Sequence, residues 1–428
     1  MKKNVLIVGA GAVGAVAAHK CAQHSDVFSS VCIASRTTTK CHDIIQEIHK
    51  KGHHPAEGFA LLARSVDAYD TDALITLIRE LNTDIVINVC TAFVNRFILD
   101  ACMETGATYI DTAVHEDYDV MNASYPWYAN FEWKKRDACK DKGITAILGA
   151  GFDPGVVNAY CAYAQRNEFD HIHSIDILDV NDGHHGRFFS TNFDPEINLR
   201  EIIEDAGCLE DGKWRTYPHH SRSMEYDFPE VGSKKVYLMG HDEVHSLSVN
   251  IEGLQTVRFW MGFDDHYLNC VNVFKNVGLL NHQPVKVGDG QDVVPLHLLK
   301  ACLPDPASLA SNYTGKTCIG TLIKGTYRDQ SKEVFIYNIC DHEAAFADAN
   351  SQAIAFTAGV PPVAAAILVA NGSWDVKTMV NVEELDPAPF LTMLTQMGLS
   401  TQIRVMPVSG QVEREEQLCV CVPDLKAM

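Results

Sequence analysis

The sequence predicts an α/β fold: a doubly wound parallel sheet, an α+β domain after it, and C-terminal helices that return to the first domain. Three observations predict it. The chain opens on Val5-Leu6-Ile7-Val8-Gly9-Ala10-Gly11-Ala12-Val13-Gly14, an apolar run leading into a glycine-rich turn. Strand and helix patterns then alternate through the first ~150 residues. Beyond roughly residue 155 the strands become alternating and aromatic-rich, with less regular helical spacing between them.

In order, Val5–Val8 reads as a buried parallel strand and Ala15–Gln23 as the helix that follows. In that strand–turn–helix setting, G-x-G-x-x-G is the fingerprint of a Rossmann dinucleotide-binding unit, although the glycines alone would also suit an ordinary βα turn. Gly9 permits the tight turn, Gly11 lets backbone approach a pyrophosphate, and Gly14 lets the helix pack closely on the strand. Ala12 and Val13 stand at the positive end of the helix dipole, where phosphate charge is received. The second strand, Ser30–Arg36, ends without the Asp or Glu that would hold the ribose 2′-OH of NAD. Ser35, Arg36, Thr37 and Lys40 stand there instead, and a guanidinium pairs well with a 2′-phosphate. NADPH is therefore predicted over NADH. S-adenosylmethionine is disfavoured because its sites also want an acid here, and the alternative for Arg36 is a solvated loop arginine.

Strand three is predicted over Ala60–Asp67, a helix over Thr71–Leu81, strand four over Asp84–Cys90, and a short helix over Phe97–Thr105 ending at Gly106. Strands five and six follow at Tyr109–Ala113 and Thr145–Leu148. Ligands of such sheets sit outside the carboxyl ends of the strands, so the residues just past each strand are the candidates. Asp67 and Ala68 are placed to meet the adenine. Cys90 and Thr91 should lie near the ribose and nicotinamide, and Thr112 and Ala113, just past strand five, are further cofactor-binding candidates. Phe152, Asp153, Pro154 and Gly155 precede a helix at Val156–Ala164 and should pass close to the nicotinamide. Cys90 reads as a small residue in a tight loop in preference to a nucleophile.

Further strands are expected at Ile175–Val180, Val236–Met239, Val257–Phe263, Thr317–Tyr327 and Glu333–Cys340. Residues 192–203 carry a helix start, with Pro195 in the first turn, and Asp348–Asn371 is apolar and helical. The expected organisation is a dinucleotide-binding domain over 1–152, a substrate-binding and dimerisation domain over 153–345, a helical return over 346–405, and a polar tail over 406–428.

With 35 Lys and Arg against 55 Asp and Glu, the net charge of −20 argues against nucleic acid and anionic membranes as partners and suits a cationic or zwitterionic substrate. No apolar run approaches the ~20 residues of a membrane span. Residues 1–4 lead straight into the first strand, which predicts no export signal and a cytoplasmic location. The 14 cysteines are scattered, with Cys419 and Cys421 the closest pair, and read as reduced core residues. His241-Asp242-Glu243-Val244-His245 lacks the Glu directly after the first His that zinc proteases require. The adjacent pairs His53-His54, His184-His185 and His219-His220 point apart. No metal is expected.

Together the glycine-rich start, the Cys90–Phe93 loop, Gly151-Phe152-Asp153-Pro154-Gly155, Thr357–Pro362 and Val382–Leu391 resemble the saccharopine reductase superfamily. Within it, Val180–Gly183, Thr191–Glu201, His241–Leu247 and Phe259-Trp260-Met261 resemble the carboxynorspermidine (carboxyspermidine) dehydrogenases. The resemblance implies an NADPH-dependent homodimer of polyamine synthesis. Such an enzyme reduces the Schiff base of aspartate β-semialdehyde with a diamine, 1,3-diaminopropane or putrescine.

Hydride transfer to an imine needs the nitrogen protonated and its carbon about 3–3.5 Å from the nicotinamide. An arginine should hold the substrate carboxylate bidentately. Arg200 is the first candidate, and the alternative is an i,i+4 pair with Glu196. Asp153, Asp179, Asp182 and Asp194 are candidates for the amines, each also suiting a turn or cap, and Asn192 is a further substrate-binding candidate. His115, Glu116 and His241 are candidates to pass a proton. Competing expectations are saccharopine reductase, which would need a second arginine; a homospermidine synthase, which would use NAD; and a non-enzymatic NADPH-binding regulator.

Overall fold

The computed structural model describes residues 2–52, 56–118, 123–288, 290–406 and 414–418. His53-His54, Cys419, Cys421 and most of the expected polar tail lie outside the described residues. The first part of the chain runs β1 (Lys3–Val8), α1 (Ala12–Gln23), β2 (Phe28–Ser35), α2 (Thr38–Lys50), β3 (Ala60–Ser65), α3 (Thr71–Glu80), β4 (Ile85–Asn88), α4 (Asn95–Thr105), β5 (Thr108–Ile110), α5 (Arg136–Lys142) and β6 (Ala146–Leu148). Its strands are four-residue or longer apolar runs near the centre of the sheet, buried on both faces as parallel strands must be. Helix α4 stops where Gly106 takes a left-handed conformation, φ 81°.

The six strands pair in parallel in the order β3-β2-β1-β4-β5-β6, the doubly wound arrangement. The order reverses between β1 and β4, so the crevice for a ligand opens beyond the ends of those two strands.

The second part begins with α6 (Val156–Asn167) and β7 (His171–Asn181). It continues through α7 (Pro195–Glu201), β8 (Ala206–Glu210), β9 (Lys213–Tyr217), β10 (Ser223–Phe228), β11 (Gly232–Met239), α8 (Asp242–Asn250) and β12 (Thr256–Gly262). Then come α9 (Asp265–Asn276), β13 (Val285–Val287), β14 (Gln291–Val293), α10 (Pro295–Cys302), β15 (Lys316–Tyr327) and β16 (Gln330–Asp341). The chain ends with α11 (His342–Ala349), α12 (Ala353–Ala370), β17 (Met379–Asn381), α13 (Pro387–Gln396), β18 (Gln402–Val405) and β19 (Arg414–Gln417). A second, ten-stranded sheet is built on the path β10-β11-β12-β7-β15-β16-β18-β19, with β8 and β9 hung on β12. All its pairs are antiparallel except β12 with β7.

The C-terminal return is divided between the two sheets. β17 extends the first sheet beside β6, whereas β18 and β19 extend the second. Part of the expected tail is thus an edge strand, paired from Gln402↔Gln417 to Val405↔Arg414. The apolar 348–371 pattern is two helices, parted where Asn350 adopts φ 52°. α12 is apolar on nearly every face; 18 residues at mean hydropathy 2.0 would suffice for a membrane span, but 78% of the segment is buried. It lies against α1 so closely that a Cβ on Gly359 would stand 2.7 Å from the Cβ of Val16. Beside that contact the buried Lys20 of α1 reaches Asp348 at 2.7 Å and the Met397 carbonyl at 2.9 Å.

Candidate active site

Between β1 and α1 the backbone turns through Gly9, with φ 120°. A Cβ on Gly14 would stand 2.1 Å from the Gly9 carbonyl oxygen, so only glycine allows this helix–strand approach. Gly11 has no protein atom within 4 Å of where its Cβ would be. The first intrahelical bond is Ala15 N–H to Gly11 O, so the N–H groups of Ala12, Val13 and Gly14 lie ahead of the helix's own ladder and open toward that space. At the end of β2, Ser35 Oγ accepts the Thr37 N–H at 3.0 Å and shapes the loop. Arg36 is exposed, and its side chain has no ion-pair partner among the described residues. Lys40 is engaged with Asp305 at 3.1 Å. Asp67 is exposed at the mouth and accepts the Tyr69 N–H at 3.1 Å, with Ala68 between them. The free helix end, the open space at Gly11 and the unpaired guanidinium suit a pyrophosphate and a 2′-phosphate, so these residues fit NADP.

The rim past β4 and β5 is held by a network that sequence patterns did not show. Asn88 Nδ2 donates to Asn95 Oδ1 at 2.7 Å, Asn95 Nδ2 to the Ala113 carbonyl at 2.7 Å, and the Cys90 N–H to Asn88 Oδ1 at 3.1 Å. Polar residues inside a helix start and a strand end carry no period, so only the contact reveals them. Thr91 begins the single turn over 92–94, and Thr112 leads into Ala113. Burial pushes the Cys90 thiol up to about 12, so it is not a thiolate nucleophile at neutral pH. Phe152 and Pro154 are buried behind this rim, and Gly155 caps α6 with its N–H donating to Asn158 Oδ1 at 2.8 Å.

Opposite the rim, the second domain presents an acidic wall. His241 Nδ1 lies 2.5 Å from Glu243, and its ring stacks on Phe259 at 4.0 Å. Burial works against the imidazolium, but Glu243, Asp153 and Glu201 outweigh it and hold the His241 pKa well above its ordinary value. Burial raises each neighbouring carboxyl in turn: Asp179 to about 7, Asp242 to about 7, Glu201 to about 8, and Asp153, which also faces Asp179, strongly upward. Asp179 Oδ1 and Glu243 Oε1 are buried without a hydrogen-bond partner.

Beside this wall lies a cavity of about 100 Å³ lined by Val114, His115, Glu116, Trp127, Arg200 and Glu204 among others. A second cavity of about 320 Å³ shares Glu116 and runs past Phe93, Arg96 and Tyr69. Burial lowers the His115 pKa; its Nδ1 lies 3.0 Å from the Ala92 carbonyl. The segment carrying it is fastened from both domains. Glu132 accepts the His115 N–H, and Asp242 accepts the Val114 N–H at 2.7 Å.

Arg200, on α7, points into the smaller cavity instead of pairing along its helix: Glu196 is bonded to Lys300 at 3.2 Å. Three expected substrate contacts are occupied elsewhere. Asp182 is 48% exposed and paired with Lys234. Asp194 caps α7 through the Glu196 and Ile197 N–H groups and holds Lys300 at 2.8 Å. Asn192 accepts from the Tyr313 hydroxyl at 2.6 Å. A local acid or amide beside a turn or helix start is used by the backbone or a neighbouring cation before it is available to a ligand. No cluster able to hold a metal is present among the described residues.

Residues 5–147 match the saccharopine dehydrogenase NADP-binding domain, and residues 151–399 match the saccharopine dehydrogenase C-terminal domain. The chain is 47% identical over 400 residues to a carboxynorspermidine synthase of Vibrio alginolyticus, covering 94% of this chain and 96% of that protein. It is 43% identical over 396 residues to a carboxyaminopropylagmatine dehydrogenase of a Synechocystis strain, covering 92% and 96%. Its fold is similar to that of the L-Glu-forming saccharopine dehydrogenase of Saccharomyces cerevisiae, with a TM-score of 0.68 at 14% identity over 95% of this chain and 100% of that one.

Proposed function

The chain belongs to the saccharopine dehydrogenase family and is an NADP-dependent oxidoreductase, and from that premise we propose that it reduces the Schiff base of aspartate β-semialdehyde with a diamine, forming carboxynorspermidine or carboxyspermidine. The observation that carries this assignment is the charge of the cleft. Of the two arginines that line its cavities among the described residues, Arg96 is partly exposed and paired with Asp117 at 3.3 Å, whereas Arg200 is buried and keeps Nη1 without a partner, against a wall of buried carboxylates. A substrate with one carboxylate and several cationic nitrogens complements that wall. The imine of a saccharopine-forming reaction carries two carboxylates from glutamate and a third from the semialdehyde, and with Arg200 holding one of them the other two would face acids. The names of the V. alginolyticus relative and of a V. cholerae relative, 45% identical, support the same choice.

NADPH, when bound along the Gly9–Gly14 turn and Arg36, supplies the hydride. The chain's own residues make the imine carbon accept it. Asp153 and Asp179, facing each other beside His241, form a negative region along the amine-derived half that stabilises its cationic nitrogens, the protonated imine included. Hydride delivery to that iminium gives the neutral secondary amine, and no covalent intermediate with the protein is required. Glu243 holds His241 at Nδ1, leaving Nε2 for proton exchange with the nascent amine. We assign the enzyme to the cytoplasm as a homodimer.

Loss of NADPH absorbance tests the proposal. The semialdehyde would be paired with 1,3-diaminopropane, putrescine and agmatine, and glutamate with 2-aminoadipate semialdehyde in parallel. Turnover with a diamine is the expected result. Turnover only with glutamate would move the enzyme to saccharopine formation, and turnover only with agmatine would replace the diamine by a guanidine.

A further inference from the structure

Resting on that imine reduction, we propose that the cavity between Arg200, Glu116 and Glu204 is a clamp for the α-amino-acid head of the substrate, so that the amine-derived half, with its distal ammonium, extends to Asp153 and Asp179. The clamp fixes which end of the imine lies where, and it adds Glu204 as a specificity-determining residue.

Arg200 is 6% exposed. Its guanidinium is sandwiched between Phe93, 5.0 Å from the ring centre, and Tyr118, at 5.2 Å. Nη2 donates to the Tyr118 carbonyl at 3.3 Å, while Nη1 is buried with no partner. A planar donor held on both faces presents only its edge, and here that edge borders the cavity. A buried, unpartnered guanidinium nitrogen is costly unless an anion completes it.

The other side of the same cavity supplies the opposite charge. Glu116 and Glu204 both line it, and no ion pair joins either to Arg200 among the described residues. Each raises its own proton affinity by burial, and Glu204 further by facing Glu116; Glu204 reaches about 7. A cation between the two relieves that repulsion.

One guanidinium and three carboxylates line about 100 Å³, and because Asp117 is already paired with Arg96, it is Arg200, Glu116 and Glu204 that select among the substrate's charged groups. A lone ammonium would meet Arg200 at close range. A lone carboxylate would meet Glu116 and Glu204. An α-carboxylate and α-ammonium on one carbon satisfy both sides together. Asp153 and Asp179 have no arginine beside them, and the one cation they face, His241, is already paired with Glu243 at 2.5 Å, so they suit an isolated ammonium.

Direct binding to the NADP⁺ form of the enzyme tests this without turnover. L-2,4-Diaminobutyrate serves as the head-group probe and 1,3-diaminopropane as the amine probe. Glu204→Gln is expected to weaken diaminobutyrate about tenfold or more, the scale of one charge-assisted bond, and to leave diaminopropane within about twofold. Asp179→Asn is expected to do the reverse. Glu204→Asp, which keeps the charge, should recover most of the affinity, whereas a packing role would not distinguish Asp from Gln. Weakening of diaminopropane with diaminobutyrate spared would reverse the orientation and overturn the proposal. Failure of diaminobutyrate to bind the wild type, or equal effects on both probes, would overturn it too. Failure of every imine to turn over while diaminobutyrate binding still depends on Glu204 would instead refute the imine reduction and leave the clamp standing.

Discussion

His241 Nδ1 and Glu243 lie 2.5 Å apart, with Glu243 fully buried beneath the imidazole. The carboxylate fixes the ring and is the largest of the influences that raise its pKa against burial. His241 therefore stays protonated through neutral pH, while Asp179 and Glu201, at about 7 and about 8, lose their protons across the same range. Activity toward a polycationic imine should rise with pH as these acids ionise and fall when His241 titrates. Glu243→Gln removes the nearest negative charge, so the alkaline limb of kcat should move down by about one pH unit or more, with the acid limb little changed. A pH profile in which only the height falls would remove His241 from proton transfer.

The glycines of the opening motif separate fold from function. On Gly14 a methyl would meet the Gly9 carbonyl oxygen at 2.1 Å, whereas on Gly11 it would meet open space. Gly14→Ala should push α1 off β1 and lower the melting temperature by about 5 °C or more, with NADPH affinity lost alongside. Gly11→Ala should leave the melting temperature of the apo protein nearly unchanged and raise the Kd for NADPH about tenfold or more by crowding the pyrophosphate. Calorimetry of the two variants, each with and without NADPH, reads both effects. A loss of stability in Gly11→Ala would show that this backbone carries packing strain of its own.

The cofactor half of the site was legible because parallel strands leave a simple record: apolar runs ending in turns, with ligands always beyond their carboxyl ends. Gly9, Arg36, Asp67 and Cys90 follow the carboxyl ends of β1, β2, β3 and β4, whereas Phe152, Pro154 and Gly155 are buried. The substrate half was less legible because its residues come from separated elements. Asp182 and Asp194 looked the same in sequence as Asp179, yet one is paired with Lys234, one caps α7, and only Asp179 is buried facing His241. Glu201, Glu204 and Glu243 passed unnoticed beside more suggestive neighbours. Nearness in sequence could have drawn attention to Glu201 and Glu204 beside Arg200, but could not have shown that Asp179 on β7 and Glu243 on α8 come together at His241. The strands at 379–381, 402–405 and 414–417 were missed because three- and four-residue edges carry too little periodicity.

Asp179 makes stability and activity oppose each other. It is 8% exposed, and burial raises its pKa from 3.8 to about 7. The folded protein therefore holds a proton that the unfolded chain has already released, so stability falls as pH rises between those values. Asp179→Asn removes that dependence. Its melting temperature should exceed the wild type's by about 2–4 °C near pH 8, with the gain shrinking toward pH 4, while kcat/KM drops about a hundredfold. Melting curves across pH, run beside kinetics, decide it. A variant less stable at every pH would mean that this carboxylate is already satisfied in the free enzyme.

Arg36 tests the cofactor preference most directly, because it stands exposed past β2 without an ion pair of its own, in a loop shaped by Ser35 and Thr37. The chain uses NADP, and a 2′-phosphate at this loop gains a charge-assisted contact that NAD cannot make. Arg36→Glu replaces that attraction by repulsion and supplies the acid that a ribose 2′-OH prefers. The KM for NADPH should rise on the order of a hundredfold, while that for NADH changes by less than about threefold or improves. Because Arg36 is not among the groups that shift the carboxyls of the acidic wall, kcat at saturating cofactor should hold within about twofold. Lys40→Ala should show the same selectivity at smaller amplitude, since Lys40 must first leave Asp305. Equal losses with both cofactors would place the 2′-phosphate away from Arg36 and leave Lys40, in the first turn of α2, as its remaining cationic partner here.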